Sequence, residues 1–116
     1  MKSLLYQLKG QQLISIQFLW NYVTLEFERH YVHMYNAPFF SVAEQIAKFD
    51  SSEFCVLLRQ HLALQVSKVE LFANEYIIVF ETSASLHLPL SGHEPGAEAY
   101  VISDRETGAL EVIEQE

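Results

Sequence analysis

The segment 69-VELFANEYIIVFE-81 has the pattern of two β-strands joined by a tight turn. Asn74 and Glu75 occupy the turn, where asparagine is favoured because its short side chain suits turn geometry. Apolar residues alternate on either side of the turn, at Val69, Leu71, Ala73, Tyr76, Ile78 and Phe80. A period of two places alternate side chains on one face of a strand. The segment therefore predicts a β-hairpin with one face towards a core.

An earlier segment, 16-IQFLWNYVTLEFE-28, aligns with this hairpin without a gap at a shift of 53 residues. Three of the thirteen positions are identical, and the apolar phase is shared. A hairpin cannot bury its apolar face alone, so each copy needs the other or the segment between them. We therefore predict an internal repeat of a strand-turn-strand-strand unit, at about 12–36 and 65–90. The alternative is that any two amphipathic hairpins look alike.

Between the two copies the apolar period changes to that of a helix. Val42, Ile46 and Phe49 form one stripe, and Ser41 with Glu44 fits a capping box in front of it. Asp50 and Glu53 repeat the capping spacing before a second stripe, which consists of Phe54, Leu57, Leu58 and Leu62. These patterns predict two short helices within about 41–63.

The C-terminal segment predicts one more hairpin, at about 98–114, with its turn at 104–108. Together these patterns indicate an α+β fold: two repeated antiparallel β-meander units, about seven to eight strands in all, with two short helices between them. A chain of 116 residues suits one domain, spanning 1–116. Half of its residues are hydrophobic, which is enough for a packed core.

The apolar runs are much shorter than the roughly 20 residues that a membrane span needs. The N-terminal segment lacks the sustained apolar region of a signal peptide. The single cysteine, Cys55, forms no internal disulfide. We therefore expect a cytoplasmic protein.

Negative charge is concentrated towards the C-terminus. Residues 94–116 contain seven acids and one base, a net charge of −6, whereas residues 1–93 contain eight acids and six bases, a net charge of −2. This field repels nucleic acid phosphates and anionic membranes and attracts a basic partner. We expect it to act through Glu98, Asp104, Glu106, Glu111 and Glu114. The alternative is that the acids only keep the chain soluble.

No catalytic, metal or cofactor motif is present in the sequence. His30 and His33 in "HYVH" are three apart, but on a strand that spacing places them on opposite faces. The other histidines, His61, His87 and His93, are scattered, and Cys55 is flanked by apolar residues in a predicted helix. Nucleophile-elbow and phosphate-loop motifs are absent. We expect a protein without enzymatic activity, metal or cofactor.

Aromatic residues offer a candidate interface. If Val32 and Met34 face the core, then Tyr31, His33 and Tyr35 face outward, where tyrosine anchors protein interfaces. The repeat alignment predicts the opposite, because Leu86 and Leu88 fall opposite His33 and Tyr35. The sequence leaves both orientations open.

The layout and the ending "PGAEAYVISDRETGALEVIE" resemble small bacterial immunity proteins of contact-dependent inhibition and related polymorphic toxin systems. The resemblance covers most of the chain in outline and about twenty residues in pattern. It implies tight binding of a cognate toxin, often a basic nuclease, by charge and shape complementarity. It carries over no catalytic or ligating residue. Tyr31 and Tyr35, with the five acids named above, are the predicted partner-binding residues.

Two other classes of function remain open. A half-open sheet with Trp20, Tyr22 and Tyr76 near its turns could bind a small molecule or peptide, which a deep apolar cleft would favour. A pocket that holds a histidine beside a carboxylate or Cys55 would favour an enzyme. Open sheet edges also favour a homodimer.

Overall fold

The computed structural model describes residues 2–92 and 94–116. In these residues the chain forms ten β-strands, one 3₁₀-helix at Leu4–Leu8 and one α-helix, α1, at Ser52–Gln60. The strands are β1 Leu13–Phe18, β2 Val23–Phe27, β3 His30–Met34, β4 Phe39–Val42, β5 Gln45–Lys48, β6 Val66–Phe72, β7 Glu75–Phe80, β8 Ser85–Pro89, β9 Glu98–Asp104 and β10 Leu110–Glu114. The predicted α+β class is confirmed, with more strands and fewer helices than expected.

The strands of the described residues form two antiparallel five-stranded sheets. The first sheet has the order β1-β2-β3-β9-β10, and the second has the order β5-β4-β8-β7-β6. Each sheet therefore combines a three-strand meander from one half of the chain with a hairpin from the other half. The β4–β5 hairpin pairs with β8, and the predicted C-terminal hairpin, β9–β10, pairs with β3. Neither half could form its sheet alone.

The first hairpins of the two meanders have matching registers at a shift of 53. Ile16 pairs with Leu25, and Val69 pairs with Ile78. Both hairpins also have an irregularity at the same place, between Leu13 and Ser15 in one and between Val66 and Lys68 in the other. Whether the two halves arose by duplication stays a prediction.

In the third strands the shift becomes 54. Val32 pairs with Leu25 in the first sheet, and Leu86 pairs with Ile78 in the second. The second copy therefore has one additional residue in the turn before its third strand, and the strand keeps its orientation. Val32 is buried and Tyr31 is not, so the outward orientation of Tyr31, His33 and Tyr35 is the observed one.

Both sheets contribute apolar side chains to a shared core, to which the 3₁₀-helix and α1 add Leu5, Leu8, Phe54 and Leu58. The largest fully buried side chains from the strands include Phe27, Phe40, Phe80 and Tyr100. Tyr100 Oη donates a 2.7 Å hydrogen bond to the carbonyl of Pro89, which ties β9 of the first sheet to β8 of the second. None of the described helices is long and apolar enough to cross a membrane.

The prediction of a helix at 41–50 is wrong, since β4 and β5 occupy this segment. Phe40 is buried opposite Ala47 on β5 and Leu86 on β8. This pairing with β8, which is distant in sequence, overrides the local helical period. Ser41 consequently does not cap a helix; its hydroxyl bonds to His87 instead.

The second predicted helix is present as α1, but Asp50 is not its N-cap. Ser51 takes that position, and its Oγ accepts a 3.3 Å hydrogen bond from the backbone N–H of Phe54. The apolar stripe is correct for Phe54 and Leu58, which are buried. Leu62 lies beyond the end of the helix and is exposed.

Candidate functional site

Four aromatic rings follow one another across the outer face of the first sheet. The ring centroids of Tyr35 and Tyr22 are 4.7 Å apart, and those of Tyr22 and His33 are 6.2 Å apart. His33 stacks on Tyr31 with a centroid distance of 6.2 Å and an interplanar angle of 11°. We call these four residues the aromatic row. They line up because β3 alternates, with Val32 and Met34 inward.

Arg105 holds one end of the aromatic row. Its guanidinium carbon lies 5.2 Å from the centroid of the Tyr31 ring, in the range of a cation–π contact. Its Nη1 lies 2.6 Å from Oε2 of Glu26, and its Nη2 donates to the carbonyls of Phe27 and Glu28. Arg105 belongs to the turn between β9 and β10. The turn is thus fastened to β2, and the Tyr31 ring is covered on one side.

The histidine within the row is held neutral. Its Nδ1 lies 2.8 Å from Oγ1 of Thr24, the residue opposite it on β2. Desolvation by burial lowers the pKa of His33. At neutral pH His33 therefore extends the apolar surface of the row and adds no positive charge to it.

The other end of the row is acidic. Tyr35 is exposed, and its pKa is raised by desolvation and by the nearby Tyr22 and Glu98. Glu98 lies opposite Glu114 in the pairing of β9 with β10, and both are exposed. Two carboxylates therefore lie at this end of the first sheet.

Two of the five acids predicted to bind a partner are engaged within the chain. Asp104 is only 2% exposed, and its carboxylate receives Nε and Nη2 of Arg29 at 2.7–3.1 Å. The hydrogen bond from Arg29 holds the pKa of Asp104 well below its usual value, against desolvation and with help from the backbone N–H groups of Glu106 and Thr107. Asp104 is therefore a structural ion-pair partner and is not accessible to another protein.

Glu111 is the second engaged acid. Its Oε1 accepts hydrogen bonds of 2.7 Å from the hydroxyl of Ser3 and from the backbone N–H of Leu4. The carboxylate thus anchors the start of the 3₁₀-helix to β10. The accessible acids of the predicted set are Glu98, Glu106 and Glu114. Glu106 is 70% exposed, although its Oε2 also lies 3.5 Å from Nε of Arg29.

The two histidines of "HYVH" lie on opposite faces, as their spacing on a strand predicts. His30 is 1% exposed, whereas His33 is in the aromatic row. His93 lies outside the described residues. Among the residues that are described, no group of three His, Cys, Asp or Glu side chains is placed to hold a metal ion.

Trp20, Tyr22 and Tyr76 do not form a common pocket. Trp20 is 97% exposed at the tip of the β1–β2 hairpin, and Tyr22 belongs to the aromatic row. Tyr76 packs edge-on against Tyr6, with ring centroids 6.1 Å apart. The role of Tyr22 in the row could have been found in the sequence, because it continues the outward alternation of Thr24 by two positions.

An apolar pocket of about 620 Å³ lies in the second sheet, where β4 and β5 meet the segment before α1. Its lining is Ala37, Pro38, Phe39, Ile46, Lys48, Phe49 and Asp50. The segment that was expected to be a helix therefore builds most of its wall. Cys55 is partly buried and is not among the lining residues.

The chain matches no protein-family model, and neither a curated protein nor a solved structure is significantly similar to it.

Proposed function

We propose that this chain is a protein-binding domain that engages a basic partner through the aromatic row. The observation that carries the proposal is the continuous outer face of Tyr35, Tyr22, His33 and Tyr31, in which Tyr35 is exposed and the other three are half-buried, and which ends in carboxylates at Glu98 and Glu114. Tyrosine offers a large apolar area with a polar tip at a low entropic cost, and it is enriched at the energetic centres of interfaces.

Charge around the row supports a basic partner. Glu98 and Glu114 at one end and Glu106 beyond the other are exposed. Arg105, which lies against the Tyr31 ring, is paired with Glu26 at 2.6 Å. Exposed carboxylates steer a partner of opposite charge during encounter, and the desolvated rings then set the dissociation rate.

The biological role that we propose is that of an immunity protein, which neutralises a cognate bacterial toxin. The similarity of the C-terminal hairpin to that class supports the role, as does the net charge of −8. A toxin with a basic surface, such as a nuclease, would suit the row and its acidic ends.

The test is capture of partners from the source cells with the tagged chain at low and high salt. We expect a stoichiometric basic protein that binds at low salt and is released at high salt, since exposed charges are screened within about 10 Å at 0.1 M salt. The captured protein is then expressed alone and together with this chain, and cell growth is measured. Growth arrest that co-expression relieves supports the immunity role.

Matched variants locate the surface. Tyr31→Ala combined with Tyr35→Ala should abolish capture, whereas Phe72→Ala, which removes an aromatic side chain that is 70% exposed in the other sheet, should not. Glu106→Lys should slow association. Capture that survives the double tyrosine change, or a partner that is not toxic, contradicts the respective part of the proposal.

The apolar pocket favours a second candidate, a domain that binds a small molecule or peptide. Its volume of about 620 Å³ lies within the usual range for ligand sites, and most of its lining is apolar. Native mass spectrometry of the chain purified from its source cells tests this candidate. A co-purifying molecule that is lost in Ile46→Glu supports it, and a chain that carries nothing at any stage of purification speaks against it.

A further inference from the structure

Three polar side chains form a hydrogen-bonded chain across the outer face of the second sheet. Oγ of Ser41 on β4 lies 2.9 Å from Nε2 of His87 on β8, and Nδ1 of His87 lies 2.8 Å from Oε1 of Glu75 on β7. The three strands are neighbours, and His87 lies between the other two. The side chains of His87 and Glu75 are 16% and 23% exposed, so the group is shielded but open to solvent.

The donor and acceptor properties of Ser41 and Glu75 determine which ring nitrogen of His87 carries the proton. An ionised carboxylate only accepts, so Nδ1 of His87 donates to Glu75. The remaining nitrogen, Nε2, then has a free lone pair and accepts the hydroxyl proton of Ser41. A hydroxyl that is hydrogen-bonded to a base, which is in turn oriented by a carboxylate, is the arrangement found in activated nucleophiles.

The apolar pocket adjoins this group. Phe39, two residues before Ser41 on the same face, lines the pocket and stacks on His87 with centroids 4.4 Å apart and an interplanar angle of 8°. Ile46 also lines the pocket and is the cross-strand partner of Ser41. Cross-strand partners lie about 5 Å apart. Ser41 itself does not line the pocket, so a ligand reaches its hydroxyl only by extending from the pocket past Phe39 and Ile46.

The equivalent position in the first sheet lacks this arrangement. His33 is the counterpart of His87 at the shift of 54, but its Nδ1 is bonded to Thr24. The counterpart of Glu75 at the shift of 53 is Tyr22. The general fold of the two sheets therefore does not require the serine–histidine–carboxylate group.

We propose that Ser41, His87 and Glu75 form an ester-hydrolysing site whose substrate places an apolar acyl group in the pocket. Ser41 Oγ attacks the ester carbonyl and passes its proton to Nε2 of His87. The bond to the alcohol breaks, and the alcohol leaves with that proton. Water then attacks the acyl-Ser41 ester, gives a proton to His87 and releases the carboxylic acid, and the proton returns to Ser41. Glu75 accepts the Nδ1–H of His87 and positions its ring throughout.

Two groups are placed to stabilise the negative charge on the carbonyl oxygen. Ser85 is the cross-strand neighbour of Ser41 on β8 and carries a hydroxyl on the same face. Lys48 lines the pocket and is the cross-strand partner of Phe39. Both side chains can rotate, so this stabilisation is weaker than that of fixed backbone donors. We expect slow turnover and an acyl-enzyme that accumulates.

The test uses the full chain with p-nitrophenyl butyrate, and with a fluorophosphonate that labels activated serines. We expect hydrolysis above the buffer rate, a burst of p-nitrophenol, and one adduct located at Ser41 by mass spectrometry. Ser41→Ala should abolish all three. His87→Gln should lower the rate by about 10²-fold, as expected for the loss of a general base. Ser67→Ala, which changes an exposed serine of the same sheet whose Oγ donates to the carbonyl of Val79, should leave the rate unchanged.

The positioning role of Glu75 has a separate signature. Glu75→Gln should lower kcat with little change in KM, because the substrate does not touch this residue, and Glu75→Asp should restore part of the rate. Thermal unfolding confirms that each variant is folded. The proposal is overturned if the wild-type chain hydrolyses no faster than buffer and forms no adduct. It is overturned equally if Ser41→Ala retains the rate, or if labelling of Ser41 does not depend on His87. Because the site lies on the other sheet from the aromatic row, this result does not depend on whether a protein partner binds there.

Discussion

Gln12 and Gln65 pair in an antiparallel bridge, although one precedes β1 of the first sheet and the other precedes β6 of the second. They are 53 residues apart, so each is the counterpart of the other. The hydrogen bonds around them are exchanged in the same way: Leu13 N donates to Leu64 O at 3.1 Å, and Val66 N donates to Gln11 O at 2.9 Å. The two halves of the chain thus meet at this bridge with a local two-fold relation.

One pair of equivalent positions, a glycine in the first half of the chain and an alanine in the second, provides a test of this two-fold relation. Gly10 and Ala63 both have positive φ, of 86° and 69°, and each donates its N–H to the strand of the other half at 2.8 Å. A left-handed conformation costs alanine about 1–2 kcal/mol. A Cβ on Gly10 would meet no atom within 4 Å, so only this conformational cost applies.

We expect Gly10→Ala to lower the free energy of unfolding by about 1 kcal/mol. Ala63→Gly should range from neutral to about 1 kcal/mol stabilising, because relief of strain is partly offset by the entropy of glycine in the unfolded chain. Urea unfolding of both variants measures the difference. Effects of the same sign in the two variants would contradict the shared backbone geometry.

Truncation of the side chain at equivalent core positions should lower the free energy of unfolding by similar amounts. Leu25 and Ile78 are counterparts, and both are fully buried between neighbouring strands. Leu25→Ala and Ile78→Ala should each cost about 2–5 kcal/mol, from lost burial and the cavity left behind. Leu71→Ala, at an exposed position, should change the stability by less than about 0.5 kcal/mol. A large cost at only one of the two core sites would show that the two sheets contribute unequally.

The N-cap of α1 distinguishes the observed helix start from the predicted one. Ser51→Ala removes the acceptor of the Phe54 N–H and should cost about 1 kcal/mol. Asp50→Ala is the matched control and should have a smaller effect, because Asp50 is not the capping residue. Thermal unfolding of the two variants measures this. A larger loss of stability in Asp50→Ala than in Ser51→Ala would indicate that the helix begins one residue earlier.

His30 makes stability depend on pH. Nε2 of Gln11 donates to Nδ1 of His30 at 2.8 Å, so His30 carries its proton on Nε2, which faces Asp104 Oδ2 at 3.7 Å. The amide cannot simply turn over, because its oxygen accepts the N–H of Arg29. Burial lowers the pKa of His30, and the attraction of Asp104 only partly offsets this. The folded state therefore favours neutral His30.

Since the pKa of His30 is lower in the folded chain than its ordinary value of 6.5, the unfolded chain binds more protons below that value. The free energy of unfolding should consequently fall as the pH decreases below 6.5 and be highest above it. Urea unfolding at several pH values measures this slope. His30→Gln should reduce the slope, whereas Glu70→Gln, at an exposed position, should leave it intact. A slope that is unchanged in His30→Gln would contradict the assignment of this pH dependence to His30. Burial also lowers the pKa of His33, which accounts for the part of the slope that remains in the variant.

Asp104 also makes the free energy of unfolding fall as the pH decreases, but it does so at lower pH than His30. Its pKa is lowered from 3.8, chiefly by the hydrogen bond from Arg29, so its contribution is present above 3.8 and is lost as the pH falls through the lowered value. Asp104→Asn should remove this acid-dependent loss while lowering the stability at neutral pH. If the acid limb of the stability curve is the same in both chains, the ion pair does not contribute to it.

Much of the local structure was predictable from the sequence. The hairpins at β1–β2, β6–β7 and β9–β10 follow from alternating apolar residues and turn residues, since both signals are local. The C-terminal half of the helical region was predictable because the stripe of Phe54 and Leu58 is buried as a helix requires. The strands in segment 41–50 were not predictable from the sequence. The apolar residues there have a helical period, and the pairing of β4 with β8 involves residues that are distant in the sequence.

The candidate sites depended still more on the tertiary structure. Tyr31 and Tyr35 were predicted as interface residues, but their outward orientation was settled only by the burial of Val32 and Met34, which alternate with them. Five acids looked equivalent in the sequence, yet the fold buries Asp104 against Arg29 and turns Glu111 towards Ser3. The group of Ser41, His87 and Glu75 lies on three strands whose order no local pattern reveals.

The sequence by itself determined the hairpins β1–β2, β6–β7 and β9–β10, their turns and the acidic balance, because each depends on residues close together in the chain. Only the tertiary structure decided that β4–β5 and β9–β10 cross to the other half's meander, because strand pairing is a long-range choice among similar apolar edges. That exchange of hairpins brings Ser41 to His87 and Arg105 to Tyr31. Both candidate sites are therefore products of contacts between residues more than 40 positions apart.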